Sequence, residues 1–189
     1  MNKSNPWLSS IVQTGFDYDN DIHDKNNIML SDQTVIDNII KKPVNNLLKQ
    51  LSTTFPFKME KLHIEPGWWN IYDKGNFQEQ HNHNNMPTII DDELYSPVLS
   101  AIYILHDDNP SSSVVFTKTA CIPFMNLSDD LDFDTRNAKD IKEGTVILFP
   151  SGLRHHVRPC AIPERVTISF NVFAILSSNP QFPARQTLN

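Results

Sequence analysis

Past Phe55 the hydrophobic period of this chain changes, and that change limits its architecture more than any other feature. Before it, Val35, Ile36, Ile39, Ile40, Val44, Leu47, Leu48 and Leu51 recur at helical spacing. Ser31 or Asp32 is placed to cap that helix, and Pro43 predicts two short helices or one kinked one. After it, Phe57, Met59 and Lys61 alternate with Lys58, Glu60 and Leu62. Trp68–Tyr72, Phe77–His83, Val98–Leu105, Ser113–Lys118, Thr145–Phe149, His155–Arg158 and Arg165–Leu176 read as further short strands. One helical segment followed by many short strands implies a mainly β, antiparallel architecture with one or two helices packed outside. Trp7, Leu8, Ile11 and Val12 suggest an additional short strand near the start. Asp17–Asn27, which holds His23, reads as a solvated loop. Asn84–Pro97, ending in Asp91-Asp92-Glu93, and Asp129–Lys142 read as acidic loops, and long loops of this kind often border active sites.

At 189 residues the expected organisation is one domain, residues 1–189. Within it, 1–54 would be helical support, 55–176 the β core and 177–189 a polar tail. A net charge of −6 argues against a broad phosphate-binding face, so nucleic acid is a poor candidate partner. No apolar run approaches the length of a membrane span, and the first ten residues lack a hydrophobic signal core. Cys121 and Cys160 form no metal-type cluster and suit a reducing, cytoplasmic setting. A homodimer is the default oligomeric expectation.

The chemistry-bearing stretch is Gly75-Asn76-Phe77-Gln78-Glu79-Gln80-His81-Asn82-His83. On a strand, residues i and i+2 face the same way, so His81 and His83 would aim at one point. Two convergent imidazoles suit a transition metal better than an apolar core. Far downstream, Phe149-Pro150-Ser151-Gly152 makes a turn after a strand, and His155 follows. A third imidazole there could complete a three-ligand site. Arg165 and Thr167 come ten residues later, two apart on a period-2 strand. A guanidinium fork in that position binds a carboxylate bidentately. His63 and His156 read as structural or surface residues.

Taken together, Trp69-Asn70-Ile71-Tyr72, Lys74-Gly75-Asn76-Phe77-Gln78, His81-x-His83, Leu99-Ser100-x-x-Tyr103, Phe149-Pro150-Ser151-x-Leu153-x-His155-x-Val157-x-Pro159 and Arg165-x-Thr167-Ile168-Ser169-Phe170-Asn171 resemble the Fe(II)/2-oxoglutarate oxygenases common in phages and marine bacteria. The resemblance runs from about Trp69 to Phe173. It implies a double-stranded β-helix, or jelly roll, with Fe(II) at its open end, and 2-oxoglutarate and O₂ as cosubstrates. It further implies His81, His83 and His155 as metal ligands, and Arg165, Thr167 and Tyr103 as contacts of 2-oxoglutarate. The superfamily's common triad is two histidines and a carboxylate. Here His83 stands at the carboxylate position, and Asp91, Asp92 or Glu93 is the alternative source of a carboxylate ligand. The implied reaction is hydroxylation of a peptidyl side chain or small metabolite, with release of succinate and CO₂.

The same residues support a second reading. Gly75 with His81-x-His83, then Gly144 with Pro150-x-Gly152-x-x-His155, is similar to the two cupin motifs. A cupin would be a 2-oxoglutarate-independent dioxygenase, an isomerase or a sugar-binding module. Against it, no Glu follows His83 at the expected distance, and Pro159 stands where Asn is expected. Arg165-x-Thr167 favours the oxygenase. The bland alternative is a non-enzymatic β-sandwich with these histidines on its surface or in its core.

Overall fold

The computed structural model describes residues 13–14, 36–51, 57–65, 67–83, 86–107, 113–117, 132–161 and 165–178. The expectations for Trp7–Val12, His23, the cap at Ser31 or Asp32, Cys121 and the residues after Ser178 fall outside that set. The described elements in chain order are β1 (Gln13–Thr14), a π-helical turn (Ile36–Lys41), α1 (Lys42–Leu51), β2 (Phe57–Ile64), β3 (Trp68–Tyr72), β4 (Gln78–His81), β5 (Thr88–Ile90), β6 (Glu93–His106), β7 (Val114–Phe116), β8 (Phe133–Asp134), a 3₁₀ turn (Thr135–Asn137), β9 (Val146–Pro150), β10 (His155–Val157) and β11 (Arg165–Ser178).

Two long strands, β6 and β11, form the middle of a seven-stranded antiparallel sheet among the described residues. β3 and β2 share the far edge of β11 in succession, and β9 and β5 share the far edge of β6. A second sheet, ordered β4-β10-β7-β8, closes the other side. This is the jelly roll, a mainly β fold of two antiparallel sheets with one helix outside.

Strand alternation divides the molecule into two cores. From β6, Leu99 and Ala101 point outward with Ile168, Phe170 and Val172 of β11. Ile40 and Val44, both fully buried, seal that outer face, with Ile39, Leu47 and Leu48 beside them. The opposite parity of the same strands points between the sheets. There Tyr72, Ile102 and Phe149 meet Val114, Phe116 and Val157 of the smaller sheet. β11 is unusual on this inner face: Arg165, Thr167, Ser169 and Asn171 are all buried and all polar. Buried polar side chains are costly unless hydrogen-bonded, so this stripe marks where the chemistry sits.

Pro43 marks the expected break between two short helical segments, Ile36–Lys41 and Lys42–Leu51, the first of them π-helical. It lies in the first turn of α1, where a missing N–H costs nothing. The wider π-helical turn over Ile36–Lys41 runs directly into it, and such turns hold backbone that cannot keep the i to i+4 ladder.

The segment 84–97 is not a loop throughout. β5 and β6 form a hairpin whose two-residue turn is Asp91-Asp92, with φ of 49° and 62°. Left-handed conformation at both central positions is what such a tight hairpin needs, and Asp tolerates it through its short polar side chain. The acidic run before Lys142 is likewise partly ordered by a buried carboxylate. Asp134 accepts hydrogen bonds from Arg136 N (2.9 Å), Arg136 Nη2 (2.8 Å) and Arg158 Nε (3.0 Å), capping the 3₁₀ turn.

Gly67 is required by a close approach. A Cβ there would lie 2.5 Å from the Ser169 carbonyl oxygen and 2.7 Å from the Phe170 ring. Gly67→Ala is therefore expected to destabilise the fold by about 1–3 kcal/mol through overpacking against β11. A urea unfolding midpoint equal to wild type would contradict this packing.

Candidate active site

His81 ends β4 and His83 follows two residues beyond it, so the strand expected to reach His83 stops early. Both side chains still enter the space between the sheets. His83 N–H donates to the Ser151 carbonyl at 2.8 Å, which ties the post-strand segment to the turn that precedes His155. β10 lies next to β4 with His155 directly opposite His81. The ring centroids are 4.2 Å apart for His81 and His155, 5.1 Å for His83 and His155, and 5.3 Å for His81 and His83. One ligating atom from each lies within 4.8 Å of the others, close enough to converge on a single ion.

The hydrogen bonds fix which nitrogen faces the centre. His81 Nδ1 lies 2.7 Å from the Glu79 carbonyl, and His155 Nδ1 lies 3.0 Å from the Leu153 carbonyl. His83 Nδ1 lies 3.0 Å from Asn171 Oδ1. Each partner oxygen is an acceptor, so each Nδ1 carries the proton and each Nε2 carries the lone pair. Burial, followed by the neighbouring His81, pushes His83 down to about 4 and His155 down to about 3. Burial also lowers His81, against the opposing pull of the Glu79 carbonyl. All three are thus neutral at physiological pH, the state a metal ligand needs.

Arg165 opens β11 and is 2% exposed. Its Nε donates to Asp107 Oδ2 at 3.2 Å, and its guanidinium lies 5.1 Å from the Tyr72 ring centre. Nη1 is buried and has no hydrogen-bond partner among the described residues. A desolvated guanidinium with a spare donor is the arrangement that an anionic ligand completes. Thr167 stands beside it on the same face, its Oγ1 accepting from Asn70 Nδ2 at 3.4 Å. The Tyr72 phenol donates to Gln78 Oε1 at 3.3 Å. Burial raises its pKa despite the opposing guanidinium, so it remains a protonated donor. One pocket, of roughly 280 Å³ including its open mouth, is lined by the three histidines, Arg165, Thr167 and Tyr72. Ile102, Val114 and Val157 supply its apolar wall.

Two expectations are corrected. Tyr103 does not reach the pocket: it shares parity with Leu99 and Ala101 and packs in the outer cluster under α1. Tyr72, directly paired with Arg165 across β3 and β11, occupies the place assigned to it. The acidic alternatives for the metal shell also fall away. Asp91 and Asp92 form the exposed hairpin turn, and Glu93 pairs with Lys61 at 2.5 Å. Among the described residues the candidate metal cluster comprises His81, His83 and His155 alone. Asp107, Tyr72 and Asn171 were missed as site residues. Strand parity pointed to Asn171, which shares a face with Arg165 and Thr167. His63 stacks edge-on with Tyr95, outside the pocket.

A jelly roll with convergent neutral imidazoles and a buried guanidinium between its sheets has the donor set to hold a metal ion and an anionic ligand side by side. The family model described as "Putative 2OG-Fe(II) oxygenase" matches residues 67–171, and the chain belongs to that family. Its cofactors are accordingly Fe(II) and 2-oxoglutarate, and the donor set fits both: nitrogen ligands for the metal and a spare guanidinium N–H for a carboxylate. No curated protein matches the chain. Among solved structures, an oxidoreductase of the 2OG-Fe(II) oxygenase family from Burkholderia pseudomallei shares 14% identity over 74% of this chain and 56% of its own, with a TM-score of 0.51. The viral collagen prolyl hydroxylase of Paramecium Bursaria Chlorella virus-1 shares 17% identity over 76% of this chain and 74% of its own, with a TM-score of 0.47. A prolyl-4-hydroxylase from Pseudomonas putida shares 17% identity over 74% and 64%, with a TM-score of 0.43. No helix among the described residues is long and apolar enough to cross a membrane.

Proposed function

We propose that this chain is a 2-oxoglutarate-dependent dioxygenase that hydroxylates a peptidyl side chain or a small metabolite, and that it works in the cytoplasm. The observation that carries the reading is one pocket holding both His81, His83 and His155 and the Nη1 of Arg165, which has no hydrogen-bond partner among the described residues. When bound, Fe(II) and 2-oxoglutarate supply O₂ activation coupled to decarboxylation of the cosubstrate to succinate and CO₂.

The chain's own residues bind, orient and exclude. His81, His83 and His155 offer Nε2 lone pairs held in register by their Nδ1 hydrogen bonds. Arg165 binds the distal carboxylate of 2-oxoglutarate through Nη1, while Asp107 keeps Nε turned away. Thr167 adds its hydroxyl to the same carboxylate, and Tyr72 does so by turning its phenol proton away from Gln78 Oε1. Ile102, Val114 and Val157 exclude water, which strengthens each polar contact in the pocket. The substrate approaches the metal position through the open side of that pocket, as a single side chain or a small molecule. The test is Fe(II)- and 2-oxoglutarate-dependent succinate release, screened over peptides and small metabolites. Metal-dependent oxidation that proceeds without 2-oxoglutarate would favour the cupin reading.

The tyrosine exchange gives a direct check on the cosubstrate contacts. Tyr72→Phe is expected to weaken 2-oxoglutarate binding by about 1 kcal/mol, roughly fivefold, for one lost hydrogen bond. Tyr103→Phe should leave it unchanged. Calorimetric titration of both variants decides, and the reverse ranking would overturn the assignment.

A further inference from the structure

The three histidines are held in unequal ways. His81 and His155 each bond the carbonyl of the residue two positions earlier, which any side chain at that position supplies. His83 depends instead on a side chain from the centre of the large sheet, Asn171 of β11. Asn171 in turn donates from Nδ2 to Glu65 Oε2 at 3.2 Å, and Ser100 Oγ donates to Asn171 Oδ1 at 3.3 Å. The Glu65 backbone N–H also donates to the Asn171 carbonyl at 3.0 Å, which holds the two residues in register.

The donor and acceptor roles along this chain admit one assignment. A carboxylate only accepts, so Glu65 must face the Asn171 amide nitrogen. That leaves Oδ1 toward His83, so His83 must donate from Nδ1, and Nε2 carries the lone pair. Glu65 thereby selects the His83 tautomer through Asn171. It also places a carboxylate two hydrogen bonds from the metal position, behind the one ligand that replaces the usual carboxylate of the facial triad.

We propose that Glu65 and Asn171 are positioning residues that make His83 a competent third ligand. In this role Glu65 supplies by relay the negative polarisation that a directly bound carboxylate would give. Partners behind metal-bound histidines raise ligand basicity and fix ring orientation, and their loss costs about 10–100-fold in metal affinity. The inference rests on the three-histidine reading above and adds the device that makes it work.

The experiment measures Co(II) affinity and the Co(II) absorption spectrum of the full chain, together with histidine tautomers by long-range ¹⁵N NMR of the metal-free protein. Glu65→Gln and Asn171→Ala are expected to weaken Co(II) by about tenfold or more. Both should convert His83 from the Nδ1–H form to a mixture, leaving His81 and His155 unchanged. The double variant Glu65→Gln with Asn171→Asp restores a donor–acceptor chain with the carboxylate moved next to His83, and should recover Co(II) affinity. Wild type that binds Co(II), with Glu65→Gln within about twofold of it and His83 still in the Nδ1–H form, overturns the relay alone. Wild type that binds no Co(II) overturns the metal site itself, and the relay with it. Glu65 lies just past β2, so its conservative exchange keeps the test valid if Asn171→Ala misfolds.

Discussion

His155→Ala is expected to lower Fe(II) affinity by at least about a hundredfold, beyond the range that loss of a supporting partner produces. His155 is 1% exposed and sits at the meeting point of both sheets. It lies against Phe116 and Phe149 on one side and His81 and His83 on the other. Removing the ring deletes one of three nitrogen donors and leaves a cavity of the same shape. Free imidazole in the buffer should therefore enter that cavity and restore part of the metal binding. Metal content after anaerobic gel filtration, with and without imidazole, reads the effect. A variant that retains stoichiometric iron would remove His155 from the ligand set. A purely structural histidine would respond differently: stability would fall and iron content per folded molecule would not.

The second large effect is at Arg165, and it has two parts that can be separated. Arg165→Ala removes the spare N–H and should weaken 2-oxoglutarate by about 2–3 kcal/mol, or roughly 30–150-fold, as expected for a charge-assisted hydrogen bond. It also takes away the guanidinium partner of the Asp107 carboxylate, whose side chain is 8% exposed. Removing one partner of a buried ion pair lowers stability by up to about 3–5 kcal/mol. Asp107→Asn combined with Arg165→Gln removes both charges together, so most of the stability should return while the affinity does not. Thermal unfolding and 2-oxoglutarate titration on the two proteins separate the roles. Recovery of cosubstrate affinity in the double variant would mean that Arg165 serves the fold and not the ligand.

Much of this site was readable before the fold was known, because strand parity is a strong rule. Arg165, Thr167, Ser169 and Asn171 alternate with Val166, Ile168 and Phe170, and the structure turns Arg165, Thr167 and Ser169 into the pocket, Asn171 against His83, and Ile168 and Phe170 under α1. The apolar stripe of Ile40, Val44, Leu47 and Leu48 was equally legible, since it repeats at helical spacing. Tyr103 failed for a reason that parity itself contains. It shares a face with Leu99 and Ala101, and that face belongs to the helix side; motif order alone did not say which side was which. Tyr72 and Asp107 could not be placed in the site from spacing, because their closeness to Arg165 depends on cross-strand register. The Asp91-Asp92 turn was missed because the strong two-residue hairpin signals carry Gly second, and here Asp takes the left-handed position. The His83–Asn171–Glu65 chain spans residues far apart in sequence and needs β11 and the segments that follow β2 and β4 in place before it exists.

The central claim is that one pocket holds the metal and the cosubstrate together. The direct test is an anaerobic titration of the metal-free protein with Fe(II), then 2-oxoglutarate, following the visible charge-transfer absorption that arises when the cosubstrate binds the iron. The account predicts that this band appears for wild type. At the same 2-oxoglutarate concentration it should be absent or strongly reduced for Arg165→Ala. Iron binding with no band at millimolar 2-oxoglutarate would contradict the account, and would leave a metal site of cupin type in its place.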